Sequence, residues 1–256
     1  MTKFTPHSSA MDRTRDLLRP PFRDDIQVTE RGYGDLLGEV EPPTYRIVQR
    51  LMRTELYSGT YQLGRKAMRR SVEVASQRGT DDRSRIVASL RLVPGATVID
   101  VGCGPGNFTG LFGTAAGEQG LAIGVDASHQ MLRVASADNA AANVAYLRAD
   151  AENLPFAEYV ADGVACLAAL YLINDPFRTL DEIARVLKPG GHVVILTSLA
   201  PGGGRHSFYS KAVEGISGCR MFGRDEIVDH LRKYGFVDVD QHTGGWAQTV
   251  VGTKPH

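Results

Sequence analysis

A chain of 256 residues with zero formal net charge is long enough to bury a substantial core and to hold one large domain plus an appendage. Its apolar share of 43% and charged share of 23% are ordinary for a globular protein, which argues against a disordered body. Residues 1–91 carry 17 Lys/Arg against 12 Asp/Glu, an asymmetry too mild to support nucleic-acid binding.

Residues 1–41 are polar, rich in Arg and Asp and broken by Pro20-Pro21 and several glycines; little regular structure is expected there. After Pro42-Pro43, residues Ile47, Val48, Leu51, Met52 and Leu56 fall at helical spacing across Tyr45–Tyr57. A second helix is predicted over Tyr61–Ala75 and a third from about Asp82 to Leu92. From Pro94 the pattern changes to alternating strands and helices. The strand-like runs are Thr97–Val101, Leu121–Val125, Val144–Leu147, Gly163–Ala168 and His192–Thr197, and the helical ones are Phe108–Ala116, Ser128–Ala141, Asp175–Leu187 and Arg224–Tyr234. Such alternation predicts a parallel sheet with helices on both faces. At the end, Val237–Gln241 and Ala247–Thr253 flank His242-Thr243-Gly244-Gly245, which reads as an antiparallel hairpin. Lys188-Pro189-Gly190-Gly191 closes a helix with a basic residue and glycines, a structural device that satisfies orphan carbonyls.

Cys103, Cys166 and Cys219 lie far apart, with no Cys-x-x-Cys and no Cys/His cluster. Neither a disulfide framework nor a metal site is expected. No apolar N-terminal signal is visible, and the longest apolar run, Val164 to Ile173, is too short to cross a bilayer. The chain reads as soluble and cytoplasmic.

The strongest functional signal is Asp100-Val101-Gly102-Cys103-Gly104-Pro105-Gly106, in which a buried strand runs into three alternate glycines before a helix. Glycine lets the backbone turn sharply and approach a ligand, and a nucleotide-bearing ligand sits at such a strand end near the helix N-terminus. A tight turn with no ligand is the plainer alternative. Asp126 follows Gly102 at the end of the second strand, where a carboxylate can accept hydrogen bonds from both ribose hydroxyls. A helix cap is the alternative, although Ser128 can fill that role. In Asp150-Ala151-Glu152-Asn153-Leu154-Pro155-Phe156, Asp150 can accept from an exocyclic amine while the Ala151 amide donates to a ring nitrogen. Together they would read an adenine edge; a solvated loop acid is the alternative.

These segments, with Asp175-Pro176 through Arg185-Val186-Leu187-Lys188-Pro189-Gly190-Gly191, resemble the class I S-adenosylmethionine (SAM)-dependent methyltransferases. The likeness is strongest to the methyltransferase domain 11-like branch containing the ubiquinone/menaquinone-biosynthesis methyltransferases, and covers about Asp82 to Pro255. It implies an α/β, Rossmann-like, seven-stranded methyltransferase sheet with an antiparallel last strand over residues 94–256, and a helical N-terminal lid over residues 42–93. It also implies SAM as cofactor. By the same resemblance, Asp100 belongs to the cofactor-binding set, Gly102, Gly104 and Gly106 face the methionine portion, Asp126 the ribose, and Asp150 with Ala151 the adenine. Ala127 and Met131 pack on the adenine, and Leu167 lines the methionine end.

In such enzymes the protein's contribution is in-line placement of the acceptor and exclusion of water. The resemblance implies methyl transfer to a small-molecule or lipid-like acceptor, at oxygen or carbon. Many relatives carry paired histidines shortly before the Asp-Pro; this chain has Tyr171 and Leu172 there. Tyr171 is a candidate for orienting an acceptor hydroxyl, with packing on the cofactor as the plainer reading. His206, after the fifth strand and near Tyr209 in a glycine-rich loop, is a candidate base, with a surface histidine as the alternative. No Asn-Pro-Pro-Tyr motif occurs, which argues against DNA amino-methylation. Tyr57, Tyr61 and Arg65 are candidates to face the substrate, and Arg65, Lys66, Arg69 and Arg70 form a basic stripe. That stripe is either a solvated face or an attraction for an anionic substrate or membrane surface. Two competing functions remain: a SAM-binding scaffold or regulatory protein without catalysis, and a nicotinamide-dependent oxidoreductase. Gly-Cys-Gly-Pro-Gly in place of Gly-x-Gly-x-x-Gly argues against the oxidoreductase.

Overall fold

A computed structural model of the protein describes residues 6–39, 83–200 and 219–256. Against the expectation of little regular structure in residues 1–41, the chain there forms α1 (Pro6–Asp16), α2 (Pro20–Asp25), β1 (Gln27–Val28) and β2 (Gly34–Asp35). Sparse, well-spaced residues account for it. Ala10 and Met11 are buried in the main core, and Leu18 is buried and bridges to Phe156. Arginines of this segment satisfy loop carbonyls: Arg13 donates to the carbonyls of Gln119 and Gly120, and Arg19 to that of Leu154. Backbone groups left open at loop ends need such partners. The predicted helices Tyr45–Tyr57 and Tyr61–Ala75, with Tyr57, Tyr61, Arg65, Lys66, Arg69 and Arg70, lie outside the described residues, as do His206 and Tyr209.

Helix α3 (residues 83–89) leads into β3 (Thr97–Val101), α4 (Asn107–Ala116), β4 (Leu121–Asp126), α5 (His129–Asp138) and β5 (Val144–Arg148). Then follow β6 (Ala161–Leu167), α6 (Pro176–Val186), β7 (Leu187–Ser198), α7 (Glu226–Lys233) and the hairpin β8 (Val237–Gly244) and β9 (Ala247–Thr253). The sheet order is β1-β2-β5-β4-β3-β6-β7-β9-β8. The five central strands are parallel, with β9 antiparallel to β7 and to β8. The seven-stranded sheet anticipated from the sequence is therefore present, with β2 added parallel to β5 and β1 antiparallel to β2.

Strands buried on both faces read as continuous apolar runs, and β3 shows why. Val98 packs into one core layer with Phe112 and Leu132, whereas Ile99 and Val101 pack into the other with Leu180, Ile183 and Leu231. Helices α3–α5 cover the first face and α1, α6 and α7 the second. The strand order reverses direction between β3 and β6, and that switch point opens a crevice at the carboxyl ends of the strands.

Two local expectations need correction. Lys188-Pro189-Gly190-Gly191 is not a turn before its strand but a bulge within β7, between the pairings Ala161↔Leu187 and Gly163↔His192. Lys188 pairs with Asp162 at 2.8 Å, while the α6 carbonyl of Ala184 and that of Leu187 accept from Lys254. The last hairpin turns at Gly245-Trp246 rather than at 242–245, because His242 and Thr243 still pair with Thr249 and Gln248. Among the described residues no helix is long and apolar enough to cross a membrane.

Candidate functional site

The glycine turn is tied to the end of β4 by its own backbone. The amides of Gly102 and Cys103 both donate to the Val125 carbonyl, at 2.8 and 3.0 Å, and the Gly104 amide donates to Asp126 Oδ2 at 2.9 Å. All three glycines take positive φ, at 71°, 53° and 76°, which other residues adopt only at a penalty. Their surroundings differ. A Cβ on Gly102 would strike Ala169 and one on Gly106 would strike the Tyr146 ring, whereas at Gly104 nothing lies within 4 Å. Gly104 is the residue where the backbone meets open space. Gly106 does not line the cleft; it is the N-cap of α4, packed on Tyr146.

That open space is a cleft of about 560 Å³. Its walls bring together Asp100, Gly102, Gly104, Asp126, Ala127, Met131, Asp150, Ala151, Leu167 and Tyr171, all ten predicted from sequence and separated in the chain by three strands.

Asp126 is held rigidly. Its Oδ2 accepts from Gly104 and its Oδ1 from the Ser128 amide at 2.8 Å, while the cap of α5 is Ser128, whose hydroxyl accepts from Met131. A carboxylate held by two backbone amides cannot swing away, and neither bond is a helix-capping bond. Asp150 is fixed similarly at the end of β5, its Oδ1 accepting from the Glu152 amide at 2.9 Å as the 3-10 turn Ala151–Asn153 begins. The Glu152 side chain reaches across to accept from the Asp175 amide at 3.0 Å, joining this loop to the start of α6.

Asp100 is the buried acid of the cleft. Thr109 donates to its Oδ2 at 2.7 Å, yet burial dominates and, with the Asp126 charge nearby, pushes its carboxyl up to about 7. Burial also holds the Cys103 thiol well above its ordinary range, so it offers no thiolate nucleophile at neutral pH. Tyr171 sits half-buried in the 3-10 turn Leu170–Leu172 after β6, and its carbonyl accepts from the Arg220 amide at 3.0 Å. Among the described lining residues there is no histidine.

Sequence reasoning missed several lining residues. Ala168, beyond the end of β6, is exposed with φ of 57°, a strained conformation for a residue with a Cβ. No residue type announces it, since its neighbours read as a plain strand end. Arg83, Asn107, Phe108 and Glu152 also line the cleft. Asn107 and Phe108 were findable, because they open the helix directly after the turn.

A doubly wound sheet with a glycine turn at its switch point and fixed acids at the next two strand ends makes a cleft of the nucleotide-cofactor kind, and similarity to known proteins gives the family. Residues 99–195 match the methyltransferase domain family. A demethylmenaquinone methyltransferase of Shouchella clausii is 30% identical over 68% of this chain and 85% of its own length, and one from a Geobacillus species is 31% identical over 67% and 85%. The fold also matches Haemonchus contortus phosphoethanolamine N-methyltransferase 2, solved in complex with S-adenosyl-L-methionine, with a TM-score of 0.58 and 19% identity over 69% of this chain and 53% of that one. The chain belongs to the class I SAM-dependent methyltransferases, in the branch that contains the demethylmenaquinone methyltransferases.

Proposed function

We propose that the chain methylates a small, lipid-like acceptor of the quinone type, at oxygen or carbon, using SAM held in the cleft. The observation that carries this reading is the pairing of Asp126 and Asp150, each pinned by backbone amides, around a glycine turn open at Gly104.

When bound, the sulfonium supplies the electrophilic methyl group. Asp126 would accept from the ribose hydroxyls. Asp150 and the Ala151 amide would read the adenine edge between Ala127 and Met131. The turn at Gly102 and Gly104, with Asp100, would face the methionine portion, and Leu167 its far end. Asp100, with its carboxyl near 7, ionises fully when a cation lies beside it, so its charge appears where the ligand's positive groups need it. The chain's own work is placement and dehydration: the acceptor is held in line with the methyl group on the side of Leu167 and Tyr171. Tyr171 orients an acceptor hydroxyl, and His206 is the candidate base. The basic residues Arg65, Lys66, Arg69 and Arg70 would favour contact with a membrane surface carrying such acceptors.

The test is turnover. The purified chain, incubated with SAM and a demethylated naphthoquinol, yields S-adenosylhomocysteine and a methylated product resolved by mass spectrometry. Tight binding of S-adenosylhomocysteine without turnover on any quinol would instead support the scaffold or regulatory reading.

A further inference from the structure

No described lining residue of the cleft comes from residues 27–38, yet the contacts of that segment converge on one of its walls. β2 runs parallel to β5 with Asp35 opposite Arg148, and the Leu36 amide donates to the Arg148 carbonyl at 3.0 Å. The Arg148 side chain, itself buried, spans from this strand pair to the loop after β4. Its Nη1 pairs with Asp35 Oδ1 at 3.2 Å and donates to the Gly38 carbonyl at 2.7 Å, while its Nε donates to the Ala127 carbonyl at 3.1 Å. Tyr33, also buried, shares a 2.8 Å hydrogen bond with Nδ1 of His129, the first residue of α5. Ala127, Ser128 and Met131 line the cleft, and the Ser128 amide fixes Asp126.

We infer that Arg148 and Tyr33 are positioning residues of the cofactor site, and that docking of residues 27–38 is thermodynamically coupled to binding of the adenosine. The inference rests on the reading of the cleft as a SAM site. A buried guanidinium needs its counter-charge. Asp35 supplies it and, with the Gly38 carbonyl, sets the plane from which Nε reaches Ala127. The Tyr33 hydroxyl fixes the other end of the same short loop at His129. The stretch from Asp126 to Met131 is thus held from outside the cleft by a pair of strands two residues long each. Strands so short at a sheet edge open at low free energy. A wall that is complete only while they are docked makes the ligand favour the docked state. By reciprocity, the factor by which docking strengthens the ligand equals the factor by which the ligand strengthens docking.

Hydrogen exchange on the intact wild-type chain reads that factor. The Leu36 amide is bonded to the Arg148 carbonyl and those of Leu37 and Gly38 to Asp35 Oδ1, so all three report docking. Saturating S-adenosylhomocysteine should slow their exchange roughly tenfold and leave β8, at the opposite edge of the sheet, unchanged. Asp35→Asn keeps an oxygen for those amides but removes the counter-charge; it should weaken S-adenosylhomocysteine in calorimetry by up to that same factor, and Tyr33→Phe should weaken it less. Where Asp35→Asn fails to fold, Tyr33→Phe and the wild-type exchange decide. Unchanged exchange at 36–38 in the presence of the ligand overturns the proposal. So does equal slowing at β8, which would mark general stabilisation, and so does wild-type affinity in the folded variants. Failure of the wild type to bind S-adenosylhomocysteine would instead overturn the cofactor reading beneath it.

Discussion

The glycine turn after β3 and the N-terminal strand pair beside β5 are built in opposite ways. At the turn the backbone does the holding: two amides share the Val125 carbonyl and three glycines occupy positive φ. At the strand pair side chains do it. Arg148, 1% exposed at the end of β5, is paired by Asp35 of β2 at 3.2 Å and donates to the carbonyls of Gly38 and Ala127. Tyr33 adds a 2.8 Å hydrogen bond to His129 Nδ1. A backbone-made site confines which residues can stand in it, so it leaves a glycine pattern in the chain. A site made by side chains 113 positions apart leaves no local pattern.

The largest expected effect breaks the turn. Gly102→Ala places a Cβ against Ala169 at φ of 71°, and should destabilise the fold by roughly 2–5 kcal/mol, read by urea denaturation. Gly104→Ala, with open space around it, should cost only about 1–2 kcal/mol. Equal losses at the two positions would contradict the division between the packed Gly102 and the open Gly104.

Asp35→Ala tests the other side of the comparison. It removes the carboxylate paired with the buried Arg148, and about 3 kcal/mol should be lost. A loss under about 1 kcal/mol would show that the strand pair is not held by this contact. Asp126→Ala should weaken S-adenosylhomocysteine roughly 10- to 100-fold, the loss of one charge-assisted interaction, measured by calorimetry. Tyr33→Phe removes one hydrogen bond to His129 and should cost about 1 kcal/mol.

The smallest effect is in pH. Asp100 titrates near 7 in the fold against 3.8 ordinarily, so the folded state holds its proton more tightly. Its contribution to stability is present below about 4 and is lost as pH rises to about 7. A cation bound beside it draws that proton off, so cofactor affinity should rise a few-fold from pH 6 to 8. Calorimetry in buffers of different ionisation enthalpy should register proton release. A pH-independent affinity would remove Asp100 from contact with the ligand's positive groups.

The same contrast explains what could be read from the chain beforehand. The central strands were legible because a parallel strand covered on both faces is an unbroken apolar run, and β3 was placed at its observed limits, Thr97–Val101. Asp126 and Asp150 were legible because they end such runs. β1 and β2 were not, being two residues each and stabilised by residues far along the chain. Gly106 departs from the expectation for a related reason: three glycines alternate identically in sequence, and only the positions of Ala169 and Tyr146 separate the two packed glycines, Gly102 and Gly106, from Gly104, which meets open space.

The most direct test of the central claim is calorimetric titration of the wild-type and Asp126→Ala chains with S-adenosylhomocysteine. The cleft described here predicts one molecule bound per wild-type chain and a clear weakening in the variant. No heat with the wild type, or identical affinities in the two chains, would contradict it.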